Sequence, residues 1–529
     1  MDQVETNPEV VTKLLLELDP NSSPGPDGLH PSFLRTIDEY IAAPLCQVFR
    51  KSLEVGCLPT AWKAGTVLPK YKRGNKQDPT NYRPICLTSV VWKAMERIVK
   101  CALQLHCVHL NLILPAQHGL RRARSCITNL FIARETWAKG TDTRKQVDVI
   151  FIDFSKAFDK VPHERLLHKL QGIGITENLL SWIAEFLRGR TMRVQVNETL
   201  SAPVPMTSGI PQGSVLGPEL FKLYINDLKT ALQTDCLIYA DDLKLWSKAS
   251  SIEDADSLQG AVDQLHEWSI RWELPVNRDK CAVLLIGGTE PYGAYHIGGL
   301  LLRNTTHERD LGVIVTSELR TTQGTLKVAT GRRLVGALRR EFARMTPEIF
   351  RPLFTSYVRS VLGYCLPAGH PLSNLECALL RKVQRRASKA VLGLRDLPYP
   401  IRLQQLNLFS VELRSRWADL IYTRRILRGD LGSELQHFFR PNTDCTTRGN
   451  TWKLFKQRRH KIRKDVTLST RLVNDWNSLP EAIADAPSKE SIKRLLVKHS
   501  LNLLESCGCH CTYDEPSRNV ATQRHASNS

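Results

Sequence analysis

Two short apolar runs in this chain end in acid. Val147-Asp148-Val149-Ile150-Phe151-Ile152 leads into Asp153, and Leu237-Ile238-Tyr239-Ala240 leads into Asp241-Asp242 before Leu243-Lys244-Leu245-Trp246 resumes. Runs of β-branched and aromatic residues of this length read as buried strands. Adjacent side chains on a flat strand point to opposite faces, so Asp241 and Asp242 cannot both face one ligand from inside a strand. A tight turn at the acid pair removes that obstacle, and LIYA-DD-LKLW has the pattern of such a hairpin. Asp153 then fits on the neighbouring strand. Three clustered carboxylates repel one another unless cations neutralise them. Hard oxygen ligands of this kind suit Mg²⁺, which takes one or two carboxylates and completes its shell with substrate phosphates.

The rest of the 529 residues bounds the setting. Hydrophobic residues make up 42% and charged residues 24%, enough apolar material for several packed units and too much for a disordered chain. No run approaches the length of a membrane span, and the acidic, polar start MDQVETNPEV is unlike a secretory or transit signal, so a soluble intracellular protein is expected. The 14 cysteines are mostly scattered and read as reduced, buried hydrophobes. Cys507, Cys509 and Cys511 cluster around His510, at a spacing too compressed for an ordinary four-ligand zinc site.

The formal net charge is +20, and it is unevenly placed. Residues 331–500 hold 33 basic against 14 acidic side chains, while residues 1–330 are nearly neutral. This asymmetry suggests a polyanion held by one region while another does chemistry. Helical periodicity is expected at 9–19, 31–56, 88–110, 163–172, 176–188, 214–231 and 252–272, with strands at 193–196 and 281–286 and a mostly helical, Arg-rich pattern from about 320 onward. The stretch from Lys70 to Arg83 reads as a basic, Gly-containing loop.

FIDFSKAFDKVPHERLLHKL (151–170), SGIPQGSVLGPELFKLYINDL (208–228) and LIYADDLKLW (237–246) resemble successive palm motifs of reverse transcriptases. SSPGPDGLHPSFLR (22–35), PTNYRPICLTSVVWKAMERIV (79–99) and QHGLRRARSCITNL (117–130) resemble upstream blocks of non-LTR, LINE-type retrotransposons. HERDLGVIV (307–315) and GRRLVGALRREF (331–342) resemble the primer grip and first thumb helix. LRKVQRRASKAVLGL (380–394) and RLVNDWNSLP (471–480) resemble the C-terminal region of jockey-like elements. The resemblance runs in order over residues 20–500. Leu120 and Ala123 depart from it, standing where relatives usually carry Phe and Gly; Leu243 stands where many carry Thr.

The resemblance implies an α+β right-hand polymerase. Its parts would be a lead-in helix (1–20), fingers and palm (21–310), primer grip and helical thumb (311–395), a mostly helical basic C-terminal domain (396–500) and a disordered Cys-containing tail (501–529). The implied reaction adds a deoxynucleotide to a primer 3′-hydroxyl on an RNA template, by a two-metal mechanism using Mg²⁺ or Mn²⁺. Asp153 and Asp241 would hold both ions, with Asp242 supporting the site. Lys70 and Arg83 would hold the triphosphate, although Lys72, Arg73 and Lys76 compete with Lys70. Phe158 matches a steric gate against a ribose 2′-hydroxyl, with core packing as the other reading. Gln212, between Gly209 and Gly213, would contact the nascent pair. Lys280 matches a lysine able to protonate pyrophosphate, or is a surface charge. Leu311 and Gly312 would support the primer end, or form an ordinary hairpin.

Arg332, Arg333, Arg339 and Arg340, with Val335, Leu338 and Phe342 on the opposite stripe, and Arg381, Lys382, Arg385 and Arg386 would contact template–primer phosphates. A third basic stretch follows at 452–464, for template RNA or target DNA. The implied partners are template RNA, a DNA primer or target DNA, and dNTPs, with an endonuclease supplied from elsewhere in the parent element. The implied location is the nucleus at the target site and the cytoplasm as a ribonucleoprotein. A decayed or domesticated copy that only binds RNA, and a group II intron maturase, are the competing readings.

Overall fold

The computed structural model describes residues 1, 4–72, 74–143, 145–319, 323–369, 374–442, 450–457 and 467–506. Strand pairing begins where the sequence suggests a loop. Ala64–Tyr71 (β1) and Tyr82–Leu87 (β2) form an antiparallel pair, and Lys70 and Arg83 are register partners in it. Gln146–Asp153 (β3) follows, then Arg190–Val196 (β4), Thr199–Leu200 (β5) and Val204–Met206 (β6). β4 runs parallel to β1 and takes β5 and β6 as antiparallel partners, completing a fingers sheet.

The palm sheet adds Asp235–Tyr239 (β7), Asp242–Ala249 (β8) and Ala282–Ile286 (β9). The two-residue strands His296–Ile297 (β10) and Leu300–Leu301 (β11) pair with each other. Arg303–Thr305 (β12) joins the palm, whose order is β12-β9-β3-β8-β7. His307–Asp310 (β13) and Val313–Thr316 (β14) form a separate hairpin. The apolar runs sit centrally because they are buried on both faces: Val149, Ile150, Val283, Leu284 and Leu245 are all at 0% exposure.

The helices at 8–16, 90–109, 163–172 and 252–271 fall where periodicity places them. The helix Cys126–Asp142 has no counterpart in the periodicity, because it is buried around most of its girth and shows little amphipathic contrast. Its N-terminus is closed by a Ser125–Thr128 capping box. One side of this helix packs on the palm through Trp137. The other presents Phe131 to Tyr422, Phe438 and Phe439 of the C-terminal region.

The thumb helices Gln323–Glu341 and Asn374–Ser388 share a core with Val335, Leu380 and Val383, which extends to Tyr399, Leu403 and Val411. The last described helix continues to Ser506, past the expected start of the tail at 501. The cluster Cys507–Cys511, Arg73 and residues 458–466 lie outside the described residues. The ten described cysteines are free, and Cys57 and Cys101 are exposed rather than buried. No described helix is long and apolar enough to cross a membrane. The architecture is the expected α+β right hand with a mostly helical C-terminal part.

Candidate active site

β3 and β8 are paired so that Asp153 and Asp242 are register partners, and Tyr239 pairs with Asp242 across the β7–β8 hairpin. Residues opposite each other in an antiparallel ladder share a sheet face, which brings these two carboxylates to one edge. Asp241 lies in the connecting turn, where Ala240 adopts φ +56. A left-handed non-glycine residue there stores strain that the surrounding structure must hold. That support comes from the 116–119 segment. Ile238 N–H donates to Ala116 O and His118 N–H to Ile238 O, both at 2.9 Å. A Cβ on Gly119 would lie 2.3 Å from the amide nitrogen of Ala240. Gly119 carries no expected role, yet only glycine leaves room for this turn.

Two cavities meet at the carboxylates, one of about 850 Å³ and one of about 1380 Å³. Lys72, Arg83, Asp153, Asp242 and Lys280 line both. The first also holds Lys70 and Leu311, and the second holds Asp241, Phe158 and Gln212. Lys280 Nζ lies 3.1 Å from Asp153 Oδ1, so it points at the carboxylate edge rather than away from it. Burial pushes the Asp242 carboxyl up to about 6, aided by the charges of Asp241, Asp310 and Asp153. Burial, with Asp153 adding to it, raises Asp241 as well. Carboxylates held in this state gain from a cation between them. Among the described residues no group of three or more His, Cys, Asp or Glu side chains is placed to hold a metal ion by itself. The trio nevertheless fits Mg²⁺, which needs only one or two carboxylates and draws its other ligands from water and phosphate.

Residues 72–323 match the family model described as reverse transcriptase (RNA-dependent DNA polymerase). This stretch is a reverse transcriptase domain. Its relatives are of the non-LTR retrotransposon kind. The chain is 30% identical over 323 residues to the RNA-directed DNA polymerase from mobile element jockey of Drosophila melanogaster, covering 59% of this chain and 35% of that protein. It is 27% identical over 434 residues to the probable RNA-directed DNA polymerase from transposon BS of the same species, covering 76% and 46%. The chain thus spans between about a third and a half of these relatives' length. Among solved structures, a truncated apo telomerase from Candida tropicalis aligns with TM-score 0.37 and 12% identity over 49% of this chain and 55% of that one.

Within the reverse transcriptase domain, Phe158 is both packed and at a cavity wall. Its ring stacks on Phe221 with centroids 4.3 Å apart, and it also lines the larger cavity. Gln212 donates from Nε2 to Asp159 Oδ1 at 2.7 Å, which aims it along the cavity wall. The glycines beside it serve the fold. A Cβ on Gly209 would lie 2.5 Å from Asp159 O, and one on Gly213 2.4 Å from Cys86 O, so neighbouring backbone requires glycine at both. Leu311 and Gly312 form the two-residue turn of β13–β14, both with positive φ, as a type I′ hairpin demands.

The thumb cations divide. Arg332, Arg333, Arg339, Arg340, Lys382 and Arg386 are exposed. Arg339, Arg385 and Arg386 line a separate cavity of about 1260 Å³ with Lys389 and Arg395. Two expectations change. Phe342 still donates its N–H to Leu338 O at 3.1 Å, closing the last turn of its helix, but it is 36% exposed and borders this basic cavity instead of packing with Val335. Arg381 turns inward and donates to Glu412 Oε1 at 2.8 Å, which makes it a tie between helices and not the exposed cation expected. Lys244 and Asp310, a buried ion pair beside Asp242, carry no expected role either. A signal exists for the lysine: Lys244 is the one charged residue in the run Leu243–Trp246.

Proposed function

We propose that this chain is an active RNA-directed DNA polymerase of a non-LTR retrotransposon, extending a DNA primer or nicked target DNA on an RNA template. The observation that carries this reading is the register pairing of Asp153 with Asp242 beside Asp241, at the meeting point of two cavities flanked by Lys70, Arg83 and Lys280. Asp153 and Asp241 would hold Mg²⁺, two ions in all with Mn²⁺ able to substitute, and Asp242 would support them. Bound there, the metal would lower the pKa of the primer 3′-hydroxyl and offset charge on the phosphates.

The chain's own residues do the rest. Lys70 and Arg83 project from paired strand positions and grip phosphate oxygens, Arg as a fork and Lys as a point charge. Phe158 closes the nucleoside side against a 2′-hydroxyl, and Phe221 behind it keeps the ring from retreating. Gln212, steadied by Asp159, meets the nascent pair. Lys280 donates a proton to the departing pyrophosphate. Leu311 and Gly312 support the primer end, and the exposed thumb cations hold template and primer phosphates.

The endonuclease that nicks target DNA would come from elsewhere in the parent element, with the complex working in the nucleus and travelling through the cytoplasm as a ribonucleoprotein. Primer extension on an RNA template with dNTPs and Mg²⁺ tests the reading, with Asp241→Ala as control. Extension abolished in the control supports it; RNA retained on a filter with no extension above the control supports the binding-only alternative.

A further inference from the structure

β8 buries a charge two residues beyond Asp242. Residues two apart on a strand share a face, so Lys244 stands one pleat repeat behind the catalytic carboxylate. Lys244 is 3% exposed, and its Nζ donates to the carboxylate of Asp310, which is 5% exposed. The Trp137 ring lies 5.7 Å from the same ammonium. Asp310 is the last residue of β13 and adjoins the Leu311–Gly312 turn.

Two features make this pair more than a stabilising contact. Removing two charges from water costs more than a buried pair commonly returns, and apolar residues of similar volume usually serve stability as well or better. Among the described residues the β13–β14 hairpin forms its own two-stranded sheet with no ladder into the palm, and its strand ends, away from the turn, are tied to the end of β9 by one backbone hydrogen bond, Gly287 N–H to Ser317 O at 3.1 Å. Its apolar face, Val313 and Val315, packs on the palm core with Trp246 and Leu284. Apolar packing is non-directional. A charged, directional hydrogen bond at the turn end fixes the position of the turn along β8. The turn is held from the other side as well. Tyr364 donates its hydroxyl to Leu311 O at 2.8 Å, and a Cβ on Gly312 would lie 3.3 Å from the Tyr364 ring. Lys327, on the first thumb helix, donates to Tyr364 O at 2.7 Å.

We propose that Lys244 and Asp310 are positioning residues, whose buried pair sets the Leu311–Gly312 turn, and with it the primer terminus, relative to Asp242. This rests on the polymerase reading. Tyr364, steadied by Lys327, closes the turn from the thumb side, so one chain of contacts runs from the catalytic strand through the primer grip to the thumb. A displacement of about 1 Å between primer terminus and carboxylates is enough to cost on the order of 100-fold in rate.

The test compares Lys244→Met, the double variant Lys244→Met with Asp310→Leu, and Asp310→Glu. The readouts are melting temperature, single-turnover extension at varied dNTP, and hydrogen exchange across 237–246 and 305–316. Lys244→Met alone leaves a buried carboxylate unpaired and should lower the melting temperature. The double variant should recover it, yet stay about 30-fold or more below wild type in maximal rate with the dNTP KM within about threefold. Its 310–313 amides should exchange faster than those of wild type. Asp310→Glu keeps the charge but lengthens the arm in a packed site, and should lose rate at a temperature where it remains fully folded, whatever its melting temperature. Recovery of rate together with stability in the double variant, or full rate in Asp310→Glu, would overturn the proposal. If wild type itself fails to extend primers, the polymerase reading falls. The exchange data then still decide on positioning: unchanged protection at 310–313 in the double variant rejects it.

Discussion

Asp153 and Asp242 are cross-strand partners at the open end of the palm sheet, the last register pair of β3 with β8. Each strand enters that pair from a buried apolar stretch, so the backbone under the carboxylates is among the best-packed parts of the chain. Precision at the site therefore comes from the sheet, while Asp241 is delivered by a strained turn that needs Gly119 beneath it.

Gly119→Ala tests that support. Its Cβ would meet the Ala240 backbone at 2.3 Å, a clash that cannot be relieved by a side-chain rotation. Destabilisation of about 1–3 kcal/mol is expected from overpacking, with a drop in extension rate of at least about tenfold at a temperature where the variant remains folded. Urea titration and primer extension on the same preparation check it. A variant with wild-type rate would show that the turn tolerates displacement.

Ala123 points the other way. It holds φ +63, in the tight turn leading to Arg124, whose guanidinium donates to Leu431 O at 2.7 Å and pairs with Glu434. The resemblance marks this position as one where relatives usually carry glycine. Ala123→Gly removes left-handed strain of about 1–2 kcal/mol and gives back part of it as unfolded-chain entropy. A net gain of about 0.5–1 kcal/mol in unfolding free energy, measured by urea titration, is expected.

Glu96 gives a pH signature of its own. It is 0% exposed, accepts the Leu216 N–H at 2.8 Å, and burial pushes its carboxyl from 4.5 up to about 7. The raised value means the folded state holds this proton more tightly than the unfolded state does. Its stabilising contribution is full below pH 4.5 and is lost as pH rises through 7, on the order of 3 kcal/mol in all. Glu96→Gln should match wild type near pH 4.5 and exceed it increasingly toward pH 7.5. Urea midpoints that run parallel across that window would contradict the assignment.

How much of this is legible in the sequence follows from where each signal lives. The Asp241–Asp242 hairpin announces itself because apolar runs interrupted by acids are hard to bury any other way. The Lys70–Arg83 pairing does not, because Pro69 and Pro84 lie next to these residues and the connecting segment is polar, a composition that reads as loop. The helix at 126–142 is hidden by being buried on several sides. Arg381 and Phe342 depart from expectation for opposite reasons. A helical stripe tells which side of a helix a residue is on, but not that Glu412 waits across the interface for Arg381 nor that Phe342, on the last turn, is left exposed.

The thumb cations offer a contrast within one surface. Replacing Arg332, Arg333, Arg339 and Arg340 by Gln should weaken template–primer binding and flatten its dependence on log salt by about 0.7–0.9 for each phosphate left without its cation, with little effect on folding. Arg381→Ala should do the reverse, costing about 1–3 kcal/mol of stability through the stranded Glu412 and leaving the salt slope as in wild type. Binding isotherms at several salt concentrations separate the two.

The most direct measurement is the rate of a single dNTP addition to a primer annealed on RNA, for wild type and for Asp153→Asn, with template–primer affinity measured in parallel. The substitution keeps the shape of the side chain and removes its charge. A loss of at least about 1000-fold in rate is expected, with affinity for the template–primer unchanged within a few fold. A variant that adds the nucleotide at a rate comparable to wild type would contradict the assignment of the paired Asp153 and Asp242 edge as the catalytic centre.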